Sequence, residues 1–226
     1  MTAETKKEVI RRNPLAVWLA AAIHFLGGHR RATITVLAVL VAVSGAWGAY
    51  AWYQQREEAG ARVVLAQAQG KLREKAGDPG TRDEAIKLLG GVVSRFPGTV
   101  SAQEALIRLG NLQFEIGKTD DAIATFGRYL REYPRGRFRV MAGIGKAYGE
   151  EAKGNLQEAA KTLGEMVDWG KDDPLIAEGY IALGRVYEQL RKPEDAIRIY
   201  GQVAERFDQT QWGQLALQRM SALKSK

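Results

Sequence analysis

Residues 177–207 read AEGYIALGRVYEQLRKPEDAIRIYGQVAERF, and their spacing decides the fold. Tyr180, Leu183, Gly184 and Tyr187 recur at intervals of three and four and mark one helical face. Arg191-Lys192-Pro193-Glu194 interrupts that face, with Pro193 tolerated in the first turn of a second helix. Ala196, Ile197, Tyr200, Val203 and Ala204 mark the second face. The segment therefore predicts two antiparallel helices joined by a short turn. Gly184 and Ala196 lack bulk, so the two backbones can approach closely, and Tyr200 fills the space beside them. Such a hairpin leaves an apolar face that only a neighbouring unit can bury.

Working outward, the same pattern returns every 37 residues. Ala85, Ala122, Ala159 and Ala196 stand in register, and four places later stand Leu89, Phe126, Leu163 and Tyr200. An acid precedes each alanine (Glu84, Asp121, Glu158, Asp195), and five places before it come Gly80, Gly117, Gly154 and then Arg191. Pro97 and Pro134 follow at twelve, replaced by Lys171 and Asp208, with Phe96, Tyr133 and Phe207 just ahead. The reading is all-α: a solenoid of about four 37-residue hairpins, with units at 66–99, 103–136, 140–173 and 177–210 and a capping helix at 211–224. Gln54 to Leu72 is expected to be helical, with Ala61, Val64, Leu65, Ala68 and Leu72 on one stripe, running out of a membrane span into the first unit.

Tyr180-x-x-Leu183-Gly184-x-x-Tyr187…Ala196-x-x-x-Tyr200 resembles the tetratricopeptide repeat, with Tyr for Trp at the first place. Leu106-x-x-Leu109-Gly110…Ala122-x-x-x-Phe126…Pro134 is equally similar, except that Gln113 replaces the Tyr. The unit at 140–173 departs further, having Gly143 and Ala147 where Trp and Gly belong, and the unit at 66–99 keeps chiefly its second helix. The resemblance implies a concave face for peptides or partner helices, lined by first-helix positions. In this chain those are Ile107, Ile144 and Ile181, then Asn111, Tyr148 and Arg185. Carboxylate-clamping members of the family carry a Lys at the place of Ile107, so the resemblance does not imply carboxylate capture here.

Ahead of the repeats lies a different chemistry. Ala32 to Tyr53 is a run of 22 residues with no group ionised at neutral pH. At 1.5 Å per residue it spans ~33 Å, against a hydrocarbon core of ~30 Å. Trp47, Tyr50, Trp52 and Tyr53 gather at its C-terminal end, as at a membrane interface. The net charge is +7; residues 1–53 hold +4 of it, in Lys6, Lys7, Arg11, Arg12, Arg30 and Arg31 against Glu4 and Glu8. Basic residues before the span and few after it predict a cytoplasmic N-terminus, with 54–226 across the membrane in the periplasm. A cleaved signal peptide is the rival, since Ala49-Tyr50-Ala51 reads as A-x-A. The apolar run is longer than a signal's, and 31 residues before it is a long leader. Residues 1–31 form a basic segment in which Leu15, Trp18, Leu19, Ala22, Ile23 and Leu26 fall on one stripe. That suits a short helix on the cytoplasmic leaflet or a flexible tail.

Little in the sequence points to catalysis. The absence of cysteine excludes disulfides, thiolate metal sites and thiol nucleophiles, and a cysteine-borne lipid anchor as well. Only His24 and His29 exist, both before the span. Gly117-Lys118-Thr119 lacks the glycine five places earlier that a phosphate loop needs, Leu112 standing there. Asp120-Asp121 and Glu194-Asp195 recur at helix starts, where carboxylates favour the free N–H groups. No cofactor, metal, nucleic acid or small-molecule substrate is expected, and the chain is read as a non-enzyme.

Gly48-Ala-Tyr-Ala-Trp52-Tyr53-Gln-Gln…Ala61 and the overall plan resemble the YfgM-like ancillary subunit family of the Sec translocon. That resemblance implies an inner-membrane protein whose periplasmic repeats contact the translocon and a periplasmic chaperone. The repeats are also similar to those of the Tol-Pal coordinator and of the outer-membrane assembly lipoprotein, which implies an envelope-assembly or division scaffold instead. A regulator of an enzyme, or a self-assembling structural protein, is the third reading.

Overall fold

The computed structural model describes residues 30–74 and 78–225. The basic segment and its amphipathic stretch at 14–28, with both histidines, lie outside the described residues. Among the described residues the chain is helical throughout, with no strand. The helices are α1 (Arg30–Glu74), α2 (Pro79–Arg95), α3 (Val100–Glu115), α4 (Thr119–Glu132) and α5 (Arg139–Ala152). They continue as α6 (Leu156–Trp169), α7 (Ile176–Gln189), α8 (Pro193–Arg206) and α9 (Gln211–Lys224). Packing divides the chain into two units that meet between Gln55 and Arg56.

In the first unit, α1 carries a stretch long and apolar enough to cross a membrane, none of it buried by protein. Ile34, Val36, Leu37, Val39 and Leu40 all expose more than half their surface. Such a face has no place in water without a covering. Thr35 Oγ1 donates back to the Arg31 carbonyl at 3.0 Å, which satisfies the hydroxyl within the helix.

In the second unit, helices pair in sequence order: α1 with α2 opens the stack, then α3–α4, α5–α6 and α7–α8, closed by α9. The C-terminal part of α1 supplies the first pair's first helix through buried Ala61, Leu65 and Ala68, with Val64 and Leu72 packed against them. This explains why that unit shows only its second helix clearly in sequence: its first helix uses alanines and leucines in place of the repeat's glycine and aromatics. Two apolar clusters run through the stack, one centred on Leu89, Leu106 and Phe126, the other on Leu163, Leu183 and Tyr200.

The turns within pairs follow the 37-residue register. Gly117, Gly154 and Arg191 take positive φ of 79°, 77° and 56°. Gly80, which shares their register in sequence, instead sits in the first turn of α2. That turn is capped by the Asp78 carboxylate, which accepts from Thr81 N at 2.9 Å. Between pairs, Phe96, Tyr133, Gly170 and Phe207 close the second helices, each donating its N–H to the carbonyl four residues back.

Candidate functional site

The first helices α3, α5 and α7 carry the residues expected to meet a partner. Ile107 and Ile144 are 4% and 5% exposed, so their side chains are spent in packing between pairs. For Ile144 the reason is local. Gly179 lets α7 come so near that a Cβ there would overlap Met166 and stand 3.9 Å from Ile144 Cγ1. The face that solvent reaches consists of Asn111, exposed, and of Tyr148, Ile181 and Arg185, half-buried.

Two of the six residues, Tyr148 and Arg185, are brought together. The Arg185 guanidinium grips the Glu151 carboxylate with two bonds, Nε to Oε1 at 3.0 Å and Nη2 to Oε2 at 2.7 Å. It also lies 5.2 Å from the centre of the Tyr148 ring. Gln189 donates to the same carboxylate. Tyr148 donates its hydroxyl to Glu178 Oε1 at 3.0 Å. Burial, and then the nearby Glu178 charge, push the Tyr148 hydroxyl up to about 12. The Glu151 hydrogen bonds hold the Arg185 guanidinium above its ordinary range. These contacts all run between α5 and α7, so they set the spacing of successive first helices while leaving a charged, partly wet rim. Asn111 and Ile181 take no part in this polar cluster.

Glu151, Glu178 and Gln189 were not singled out by sequence. A signal existed: Arg185 stands 34 residues after Glu151, three short of the repeat, which places opposite charges across neighbouring first helices. Toward the N-terminus a neutral donor makes the crossing instead: Gln69 of α1 donates to Glu104 of α3 at 3.4 Å, and Arg108 Nε of the same helix donates to Glu104 at 2.7 Å.

Polar groups also replace the repeat's tyrosine inside two pairs. At Gln113, Thr125 Oγ1 donates to Oε1 at 2.7 Å. One repeat later, buried Glu150 holds Lys146 Nζ at 2.5 Å, and Lys146 reaches Thr162 Oγ1 at 2.8 Å. In the last pair the same places are Tyr187 and Ile199, both in apolar packing. Paired polar residues thus substitute for paired apolar ones, although Glu150 Oε2 is left buried without a hydrogen-bond partner among the described residues.

Two hollows lie away from this face. One, of about 480 Å³, is bounded by Val167, Asp168, Tyr187, Arg198 and Glu205 of α6, α7 and α8. The other, of about 370 Å³, lies where the 134–140 and 169–174 segments meet. There the Arg139 guanidinium stacks 3.5 Å from the centre of the Trp169 ring. Among the described residues no three His, Cys, Asp or Glu side chains are placed to hold a metal. Asp120 and Asp195 are taken up by Lys153 and Arg198. Gly117-Lys118-Thr119 is a turn between two helices, with Lys118 Nζ 3.9 Å from Asp83.

Comparison with known proteins agrees with this architecture. Residues 104–135 and 180–206 each match a family model described as tetratricopeptide repeat. No curated protein matches the chain in sequence. Among solved structures, the chain is similar to the nearly identical TPR-like repeats of a putative kinesin light chain from Podosopora anserina. The identity is 16%, covering 73% of this chain and 85% of that one, at a TM-score of 0.56. It is also similar to a tetratricopeptide repeat protein from Parabacteroides merdae, with 14% identity over 73% and 60% of the two chains and a TM-score of 0.58. A MamA protein gives 20% identity over 73% and 85%, with a TM-score of 0.53. At these identities the likeness is one of fold: an all-helical tetratricopeptide-type solenoid.

Proposed function

We propose that the chain is a non-enzymatic, membrane-anchored adaptor whose tetratricopeptide-type repeats bind other polypeptides at the periplasmic face of a bacterial inner membrane. One observation carries the reading. The 45-residue helix α1 holds both an exposed apolar stretch able to cross a bilayer and the buried Ala61, Leu65 and Ala68 that open the repeat stack. The excess of Lys and Arg before that stretch favours a cytoplasmic N-terminus. The binding surface is the first-helix face, with Asn111, Tyr148, Ile181 and Arg185 at its rim and Ile107 and Ile144 beneath.

The partner class we favour is the secretion machinery, the Sec translocon and a periplasmic chaperone, because the span-to-repeat junction Gly48 to Ala61 resembles that of the YfgM-like translocon subunits. The experiment is affinity capture from solubilised membranes by the full chain and by a chain lacking residues 1–53. Recovery of translocon subunits that depends on the span supports this reading. Recovery of peptidoglycan or outer-membrane assembly factors by both forms would replace it with an envelope scaffold. Recovery of nothing but further copies would make the chain a self-assembling structural protein.

A further inference from the structure

We infer that the edge of the stack formed by its first two inter-pair connectors is a contact surface for anionic lipid headgroups. The inference rests on the membrane-anchored reading above.

The two connectors, 96–99 and 133–138, lie side by side. The Tyr133 hydroxyl accepts the Gly98 N–H at 3.4 Å, and the Tyr129 hydroxyl accepts the Phe138 N–H at 2.9 Å. Arg95, Arg131, Arg135 and Arg137 surround them, all exposed and in no ion pair among the described residues. Arg95 and Arg137 rest against Phe96 and Phe138, each 5.4 Å from the ring centre, so their stems lie on the protein while the heads stay in water. Glu132 is engaged by Arg128 at 2.7 Å, and Glu58 by Arg62 at 3.1 Å and Ser101 Oγ at 2.7 Å, while Asp172 and Asp173 line the same hollow as Arg135. The later connectors differ, since Lys171 is outnumbered by Asp172 and Asp173, and Arg206 is matched by Asp208. Four exposed arginines in no ion pair among the described residues thus gather at the edge formed by the first two connectors.

That edge is also where the chain enters the repeat unit. Glu58 accepts from the N–H groups of Val100 and Ser101 at 2.8 and 3.3 Å, which ties the start of the unit to the first connector. The apolar run ends at Tyr53, five residues earlier, so the tether is only ~7 Å of helix. Clustered arginines are drawn to an anionic lipid surface within about a Debye length, ~8 Å at physiological salt.

The chain has no cysteine, so single sites can be labelled cleanly. Val100→Cys, at the arginine edge, and Glu115→Cys, at the far end of α3, each carry one fluorophore in the full chain. The chain is reconstituted in phosphatidylcholine vesicles with or without phosphatidylglycerol, both holding a headgroup-quencher lipid. The expected result is several-fold greater quenching at 100 in the anionic vesicles and no such difference at 115. Replacing Arg95, Arg131, Arg135 and Arg137 by Gln should remove the difference, as should about 1 M salt, where screening shortens to ~3 Å. Equal quenching in both lipids, or a difference that survives both the replacements and the salt, overturns the inference. Flotation separates this from the anchoring reading. A chain that floats with neutral vesicles yet shows equal quenching loses only the lipid edge. A chain that fails to float with neutral vesicles loses the anchor, and the inference with it.

Discussion

The ring of Tyr200 occupies the space that a side chain on Gly184 would need: a Cβ there would overlap its Cε1 and stand 2.6 Å from its Cζ. The ring cannot swing away freely, because its hydroxyl donates to Glu188 Oε1 at 2.6 Å. Gly184→Ala should therefore destabilise the stack by about 1–3 kcal/mol, as should Ala196→Leu at the fully buried position across the pair. Urea melts of the full chain in detergent check both. Wild-type midpoints would contradict the packing described.

The same contact predicts a compensation. Gly110 faces Phe126 as Gly184 faces Tyr200, whereas the middle pair sets Ala147 with Leu163, both fully buried. Glycine accompanies the ring and alanine the smaller leucine. Leu163→Phe alone should overpack and destabilise. Adding Ala147→Gly should restore part of the loss, with a coupling of about 0.5–3 kcal/mol in a double-mutant cycle. Strict additivity would refute the pairing.

Arg191 holds φ 56° in a turn where its register partners are Gly117 and Gly154. A side chain in that conformation costs ~1–2 kcal/mol, while glycine loses ~0.5–1 kcal/mol more backbone entropy on folding. Arg191→Gly should thus stabilise the last pair by about 0.5–1 kcal/mol, visible as a raised melting temperature.

Glu58 predicts a pH dependence. Burial pushes its carboxyl up, but hydrogen bonds from Ser101, Arg62 and Val100 outweigh this and hold it below the ordinary glutamate value. A folded value below the unfolded one gives stability that is complete above the unfolded value, ~4.3, and lost as pH falls through the folded one. The first pairs should therefore weaken from about pH 5 downward. Glu58→Gln should flatten that limb and cost about 1–3 kcal/mol at neutral pH, since it removes bonds to a charged acceptor. Melts between pH 3 and 7 measure both effects.

Residues differ in how far sequence alone could place them. Gly184, Ala196 and Tyr200 were readable because a pair's interior depends on size and on helical spacing. The stripe from Ala61 to Leu72 was readable for the same reason. The burial of Ile144 was not, because it depends on how near the next first helix comes, and Gly179 with Met166 decides that. Gly80 shares a register with Gly117 and Gly154 but lies in a capped helical turn, since Asp78 and Pro79 start α2 early. The Glu151–Arg185 grip joins residues one turn off the repeat spacing, so the 37-residue comparison passed over it.

The central claim is that the first-helix face receives another polypeptide. In-cell photocrosslinking tests it most directly, from a photoreactive residue at Asn111, Tyr148, Ile181 or Arg185 of the full chain, with exposed Lys87 of α2 and Lys161 of α6 as comparison sites. The account predicts adducts to a discrete envelope protein from the first-helix sites and none from the lysine sites. Adducts of equal yield from both sets, or none from the first-helix sites, would contradict it.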